Sequence, residues 1–224
     1  AGLEGGMVAT AVNLSPLPPE VFDAIGPYVH ACKMMGSMAS QILGHTPKSL
    51  KVELAGGLAD ADPAPLLAAV LDGGLSYRRL GAFSAANAES VASQHGISVT
   101  TASARDAGEY ASSVRIVADE VEVAATLFGT EHTPRIISLM GYKIDIAPAA
   151  TSLVFEYVDA PGRIGVIGTI LGDAAANITT MQIGTKPEES CALVYMNVEG
   201  DVSEAVLDRL RGAIDLRNLW KITL

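Results

Sequence analysis

The order of secondary-structure patterns in residues 152–224 constrains the fold of this chain more than any other feature. TSLVFEYVD indicates a strand, RIGVIGTILGDA a helix, NITTMQIG and SCALVYMNVEG two further strands, SEAVLDRLRGA a helix and LWKITL a last strand. The resulting order, βαββαβ, is that of the ferredoxin-like split unit. We therefore predict this fold for residues 150–224, after a short linker at Pro148, Ala149 and Ala150.

The residues before this unit carry a different pattern. Apolar residues recur at three- and four-residue steps from Pro19 to about Gly44, which predicts an amphipathic helix that Gly26 and Pro27 can kink or divide. SLKVELAG alternates like a strand, and DADPAPLLAAVLDGG predicts a short helix that begins near Asp62 and is closed by its glycines. SAANAESVASQHG predicts another helix, and the strands expected after it are ISVTTASA, YASSVRIVAD, VEVAATLFG, RIISLMG and YKIDIAPA.

These patterns predict an α+β protein in three parts. We expect residues 1–46 to hold an irregular segment and a linking helix, residues 47–149 a strand-rich domain with two helices on it, and residues 150–224 the βαββαβ unit. Hydrophobic residues make up 49% of the chain and aromatic residues only 5%. The cores are therefore expected to consist mainly of aliphatic side chains, which suits a soluble protein of this class.

Charge, cysteine content and the first residues disfavour several classes of function. The net charge of -10 repels phosphates, so neither nucleic acid nor an anionic membrane is an expected partner. No apolar run is long enough to span a membrane, and the first residues lack the pattern of a secretory signal, which predicts a cytoplasmic protein. Cys32 and Cys191 belong to no CxxC or Cys/His cluster, so we expect reduced thiols and no metal site.

The stretch YVDAPGRIGVIG, residues 157–168, has the glycine content of a nucleotide-binding loop but not its spacing. A dinucleotide fingerprint needs G-x-G-x-x-G and an acidic residue about 20 positions later. Here Gly162, Gly165 and Gly168 recur at every third position, and the later segment reads QIGTK. No Gly-Lys-Ser/Thr follows, as a P-loop requires. We therefore predict no cofactor site in this chain, and no catalytic residues can be assigned.

The same stretch is better suited to a small amino acid. Asp159 precedes the predicted helix, whose free N–H groups and dipole favour an anion, and Asn177 begins the next strand. We expect that strand end and the first loop to come close, so that a carboxylate, a carboxamide and a helix N-terminus together hold an amino acid. Gly165, Gly168 and Gly172 share one side of the helix and require a close approach by the sheet, a ligand or a second subunit.

The last part of the chain resembles one known domain family, and the whole chain resembles a larger enzyme family. Residues 152–224, with VFEYVDAPGRIGVIGTILGDAAANITTMQIG at their head, resemble an ACT domain, the amino-acid-sensing module of metabolic enzymes. The segments AVNLSPLPPEVFDAIGPYVHACKMMGSMASQI, SAANAESVASQHGI and VEVAATLFGTEHTPRIISLMGYKIDIAPA extend the resemblance to the C-terminal part of long-form D-3-phosphoglycerate dehydrogenase. In that family an intervening allosteric-substrate-binding domain precedes the ACT domain.

The resemblance implies a homotetrameric, cytoplasmic, NAD-dependent enzyme of L-serine biosynthesis that is inhibited by L-serine bound between paired ACT domains. By position, the residues implied to surround L-serine are Tyr157, Asp159, Pro161, Gly162, Arg163, Ile164, Gly165 and Asn177. The chain lacks the family's nucleotide-binding domain and its catalytic histidine and arginine. The resemblance therefore implies that residues 1–46 are the tail of the preceding domain and a linking helix. We therefore expect the chain to bind L-serine or another small amino acid and to dimerise through its ACT domain, with NAD bound only in the parent enzyme.

One departure from the family concerns a second effector site. Some members hold phosphate or substrate in the intervening domain with a basic cluster, whereas here only Arg135 and Lys143 match it, and Tyr142 and Ala147 stand where basic residues are expected. Two exposed cations bind phosphate only weakly in water. A weak phosphate site is therefore one interpretation, and two solvated surface charges are the simpler one.

Two other interpretations stay open. The intervening-domain fold also occurs in bacterial serine dehydratases, which use an iron-sulfur cluster, so a dehydratase-like subunit is one of them. Two distant cysteines cannot hold such a cluster, and the catalytic apparatus would have to lie on another chain. The other is a structural dimerisation module that binds no effector.

Overall fold

The structure, a computed structural model, describes residues 19–76 and 84–224. It contains helices together with mixed and antiparallel strands, which confirms the predicted α+β class. The chain divides into two compact units between Arg135 and Ile136. The tail predicted before Pro19 lies outside the described residues, and the predicted domain boundary near residue 150 stays a prediction. No helix among the described residues is both long and apolar enough to cross a membrane.

The first unit places helices against a mixed sheet. Its described elements are α1 (Pro19–Leu43), β1 (Ser49–Gly56), α2 (Ala64–Ser76), α3 (Ala88–Gln94), β2 (Ser98–Ala104), β3 (Ser112–Ala118) and β4 (Val121–Phe128). The strands lie in the order β2-β1-β3-β4, with β1 and β2 parallel and the other pairs antiparallel. Leu50, Val52 and Leu54 of β1 are buried at alternate positions, as a strand with one covered face requires. Helix α1 runs through Pro27 without being divided.

Glycines set the distance between α1 and α2. A Cβ atom on Gly73 would overlap the Lys33 carbonyl group, and one on Gly36 would overlap the Val70 carbonyl group. The prediction that its glycines close α2 is wrong, because α2 continues to Ser76. Gly73 allows a close contact between two helix backbones and does not end the helix.

The predicted start of α2 near Asp62 is correct, since the Asp62 carboxylate accepts a hydrogen bond from the Ala64 N–H at 3.0 Å.

The second unit contains the βαββαβ order expected from the sequence. Its elements are β5 (Thr133–Leu139, which begins before the division), β6 (Tyr142–Ile146), β7 (Thr151–Val158), α4 (Arg163–Asp173), β8 (Asn177–Lys186), a 3-10 turn (Pro187–Glu189), β9 (Cys191–Glu199), α5 (Glu204–Ala213) and β10 (Leu216–Thr223). The last four strands form an antiparallel sheet in the order β10-β7-β9-β8. Side chains of α4 and α5, including Ile167, Leu171, Leu207 and Leu210, pack with Phe155 and Val194 into a core on one face of the sheet.

Strand β6 packs on the opposite face of this sheet through Tyr142. The Tyr142 side chain is fully buried, and its hydroxyl donates a hydrogen bond to Glu156 at 2.9 Å. The Lys186 ammonium lies 4.2 Å from the centre of its ring, a cation–π contact. Gly184 permits this approach, because a Cβ atom there would lie 2.9 Å from the Tyr142 Cβ and 2.8 Å from the Lys143 carbonyl oxygen.

Tyr195, in β9, leads to a prediction about alkaline pH. Its side chain is fully buried, and its hydroxyl has no hydrogen-bond partner within residues 19–76 and 84–224. Burial raises the pKa of Tyr195 to about 12, against a smaller lowering by the Ser152 hydroxyl. In the unfolded chain a tyrosine ionises at about pH 10. The contribution of the neutral phenol to stability is therefore complete below about pH 10 and is lost as the pH rises toward 12.

We expect Tyr195→Phe to be less sensitive to alkali than the wild type, because the phenylalanine cannot ionise. Thermal melts at pH 7, 10 and 11.5 would measure the difference. At pH 7 the variant should match the wild type or exceed it by about 1 kcal/mol, since an unpaired buried hydroxyl is costly. A clear loss of stability at pH 7 would show that the hydroxyl is hydrogen-bonded in solution and would contradict this expectation.

Candidate functional site

The loop between β7 and α4 leaves backbone donors free at a helix N-terminus. Gly162 occupies the N-cap position with φ of 87°, a left-handed backbone conformation that residues other than glycine rarely adopt. Because it has no side chain, it cannot cap the helix with a side-chain hydrogen bond. The Val166 N–H donates to the Gly162 carbonyl at 3.2 Å. The N–H groups of Ile164 and Gly165 have no acceptor among the described residues. This end of α4 can therefore bind an anion.

Two predicted side chains lie at this end of β7. Tyr157 is only 2% exposed, whereas Asp159 is exposed. Neither the Tyr157 hydroxyl nor the Asp159 carboxylate has a hydrogen bond within the described part of the chain. Burial raises the pKa of Tyr157, the Asp159 carboxylate raises it further and the Arg163 guanidinium lowers it. The hydroxyl is thus under the influence of one negative and one positive group.

Arg163 belongs to the predicted set, and its partner Asp215 does not. The Arg163 Nη2 atom lies 2.6 Å from the Asp215 Oδ2 atom. The Asp215 carbonyl also accepts a hydrogen bond from the Val158 N–H at 3.2 Å. Asp215 could have been predicted from its position between a helix and the last strand, because in a βαββαβ unit this connection lies at the same end of the sheet as the β7–α4 loop. An aspartate in a loop does not by itself indicate a functional residue.

Asn177 lies at the other end of the sheet. Along β9, Val158 of β7 pairs with Cys191, whereas Asn177 of β8 pairs with Glu199. These two pairs stand at opposite ends of the 9-residue strand, which at about 3.3 Å per residue separates them by roughly 26 Å. The expectation that Asp159 and Asn177 come close within one chain is therefore wrong. The Asn177 side chain is exposed and has no hydrogen bond among the described residues.

The glycine stripe of α4 faces open space. Cβ atoms built on Gly165, Gly168 and Gly172 would meet no atom within 4 Å. The glycines are therefore not needed for contact with the sheet. Of the three partners expected from the sequence, a ligand and a second subunit remain.

The β7–α4 loop does not fit a dinucleotide. In a dinucleotide-binding unit the two strands that flank the helix are parallel members of an open α/β sheet, with the ligand at the carboxyl ends of the strands. Here β7 and β8 lie on either side of β9 and are each antiparallel to it. The described residues therefore do not form a dinucleotide-binding unit at this loop.

The predicted phosphate site consists of Arg135 and Lys143. The Arg135 guanidinium lies 5.6 Å from the centre of the Phe128 ring, and the Phe128 side chain is 67% exposed. Lys143 is exposed on β6. The weak phosphate site stays a prediction.

A family model described as the D-3-phosphoglycerate dehydrogenase intervening domain matches residues 24–140. The chain belongs to the D-3-phosphoglycerate dehydrogenase family. The matched segment covers all of the described first unit except the start of α1. This confirms the family resemblance that the sequence suggested.

Curated D-3-phosphoglycerate dehydrogenases match almost the entire chain. Identity is 25% over 224 residues for the Methanocaldococcus jannaschii protein, 28% over 227 residues for that of Mycobacterium tuberculosis and 30% over 227 residues for that of Mycobacterium leprae. Each alignment includes 99% of this chain and 43% of the relative. The chain thus spans less than half the length of these dehydrogenases.

One solved structure, described as a novel type of quorum quenching acylase, covers 32% of the chain at 22% identity with a TM-score of 0.28. This likeness is too small to inform the fold.

Proposed function

We propose that this chain is the regulatory portion of a D-3-phosphoglycerate dehydrogenase, which senses L-serine and joins subunits through its βαββαβ unit. The main support is that the polar groups at one end of β7 are unused by the fold. The Tyr157 hydroxyl, the Asp159 carboxylate and the N–H groups of Ile164 and Gly165 all lack partners among the described residues. Together they offer an acceptor for an ammonium group and donors for a carboxylate, which are the needs of an amino acid.

A second copy of the chain supplies the missing amide in this proposal. Strand β8 is an edge of the sheet, and its Ile183 side chain is 41% exposed. If two β8 strands pair antiparallel about a two-fold axis, each Asn177 lies opposite the Lys186 end of the other strand. Asn177 of the partner subunit then lies at the end of the sheet where Asp159 lies. The open glycine stripe of α4 gives the second copy or the ligand room to approach.

The parent enzyme is proposed to be a cytoplasmic homotetramer that oxidises 3-phosphoglycerate with NAD in L-serine biosynthesis. NAD would then be bound by residues of the relatives that this chain does not cover. For this chain the proposed activity is binding and regulation, with the ACT-type dimer as its quaternary unit.

Isothermal titration with L-serine tests the proposed site. We expect Asp159→Asn and Asn177→Ala each to weaken binding at least about tenfold, because the first removes the charge opposite the ligand's ammonium group and the second removes a hydrogen-bonding amide. Asp201→Asn is a matched control, since Asp201 is an exposed carboxylate that lies outside the site. Undiminished affinity in both site variants would contradict the assignment of these residues.

A second experiment tests whether L-serine binding requires the dimer. Sedimentation and titration on the same samples should show L-serine affinity falling as dilution produces monomer. Ile183→Arg, which places a charge on the proposed paired edge, should lower both dimerisation and affinity. A dimer whose melting temperature is raised by no amino acid would instead indicate a purely structural dimerisation module.

A further inference from the structure

Arg163 carries a positive charge at a position where the helix itself disfavours one. It is the first residue of α4, at the end where the helix dipole is positive and N–H groups are free. Its only ion pair among the described residues is with Asp215, whose side chain is 74% exposed. The helix dipole and the Arg163 charge therefore both favour an anion at this end of α4, and among the described residues Asp215 is the anion that pairs with the guanidinium.

Most donors of the Arg163 guanidinium are unused. The group has five N–H donors, and the single bond described for them is from Nη2 to Asp215 at 2.6 Å. The Nε atom is buried and has no hydrogen-bond partner. The pair with Asp215 is thus single and not bidentate, whereas a planar guanidinium can bind a carboxylate with two parallel bonds.

Charges of opposite sign act on the Tyr157 hydroxyl. The Tyr157 side chain is only 2% exposed, and its hydroxyl has no partner among the described residues. The Asp159 and Arg163 charges both act on the pKa of this hydroxyl, in opposite directions. An α-amino acid carries an ammonium and a carboxylate on neighbouring atoms, so a site with one acidic and one basic side chain suits the two charges of a zwitterion.

We infer that the Arg163 guanidinium binds the α-carboxylate of an amino acid in the proposed site, together with the free N–H groups of α4. The inference rests on the proposed function and gives one of its implied residues a specific role and a ligand selectivity. The ammonium group is bound by Asp159, and Asp215 competes with the ligand's carboxylate for the guanidinium. Ligands are therefore selected for a free carboxylate as well as for an ammonium group.

Titration of L-serine and L-serinamide into the dimeric full chain tests this inference. L-Serinamide retains the ammonium and hydroxyl groups and lacks the carboxylate charge. We expect the wild type to prefer L-serine by about 100-fold and Arg163→Gln to lose at least about tenfold of that preference, as expected for a charge-assisted contact. Arg163→Lys should retain part of the preference, because it retains the charge without the fork.

A merely structural ion pair predicts a different result. If Arg163 and Asp215 only held the loop in place, Arg163→Gln and Asp215→Asn would weaken L-serine binding alike. If Asp215 competes for the guanidinium, Asp215→Asn should bind L-serine as tightly as the wild type or up to several-fold more tightly. Arg209→Gln is the matched control, because Arg209 forms an exposed ion pair with Asp173 at 2.9 Å outside the site.

The outcomes separate this inference from the proposed function. If the wild type binds L-serine and Arg163→Gln retains both affinity and preference, the inference is overturned and the serine site stands. If Asp215→Asn weakens binding as much as Arg163→Gln, the pair is structural and the inference is also overturned. If no amino acid binds the wild type, the proposed function and the inference fail together.

Discussion

Gly73→Ala is expected to destabilise the first unit by at least about 3 kcal/mol, the upper part of the range for overpacked interiors. The added Cβ atom would overlap the Lys33 carbonyl group. That group is helix backbone, so it cannot rotate away as a side chain can, and α1 and α2 must separate. Separation would uncover buried apolar residues of both helices, including Met35 and Leu71. Urea unfolding of the full chain, followed by circular dichroism, would measure the loss.

Gly212→Ala is the control for the intrinsic effect of the substitution. Gly212 lies in α5, where a Cβ atom would meet nothing within 4 Å. Alanine is a better helix former than glycine, so this variant should gain about 0.4–1 kcal/mol. Gly36→Ala should behave like Gly73→Ala, because it would overlap the Val70 carbonyl group of the facing helix. A neutral or stabilising effect of Gly73→Ala would mean that the helices lie farther apart in solution.

Tyr142→Ala is expected to destabilise the second unit by about 3–5 kcal/mol, the usual cost of removing a buried aromatic side chain. The substitution leaves a cavity between β6 and the sheet, and Glu156 loses the hydrogen bond that it accepts at 2.9 Å. Lys186 also loses the ring over which its ammonium lies. Thermal and urea unfolding would both report the change.

Tyr142→Phe separates packing from the hydrogen bond. It retains the ring and its contact with Lys186 and removes only the hydroxyl group. We expect a loss of about 1 kcal/mol, the typical net value of one hydrogen bond. Equal losses in the alanine and phenylalanine variants would contradict the view that ring packing dominates.

Local patterns in the sequence predicted the elements well, and contacts between distant residues account for what they missed. The periodicity of residues 152–224 gave the order βαββαβ, because each element there has a clear period and a turn on either side. The end of α2 was missed because Gly73 and Gly74 look the same in a helix end and in a helix contact. The difference depends on Lys33, which belongs to another helix.

The candidate site was predictable in its residue types and not in its geometry. Asp159 was visible as an acidic residue before a glycine-rich helix start, and Asn177 as a polar residue at the start of the next strand. Their separation follows from the position of β9 between β7 and β8, which no local pattern reveals. The Arg163 ion pair was also missed, because Asp215 lies on the far side of two strands and a helix in the sequence.

The packing of β6 determines how much of the chain is needed to preserve the βαββαβ unit. The Asn197 amide donates to the Ala147 carbonyl at 2.8 Å, and Tyr142 covers Gly184. A protein cut at residue 150 would retain every strand and helix of the βαββαβ order. It would nevertheless lose these contacts and expose apolar surface of the sheet to water. Its tendency to aggregate would then be a property of the cut and would say nothing about the oligomeric state of the intact chain.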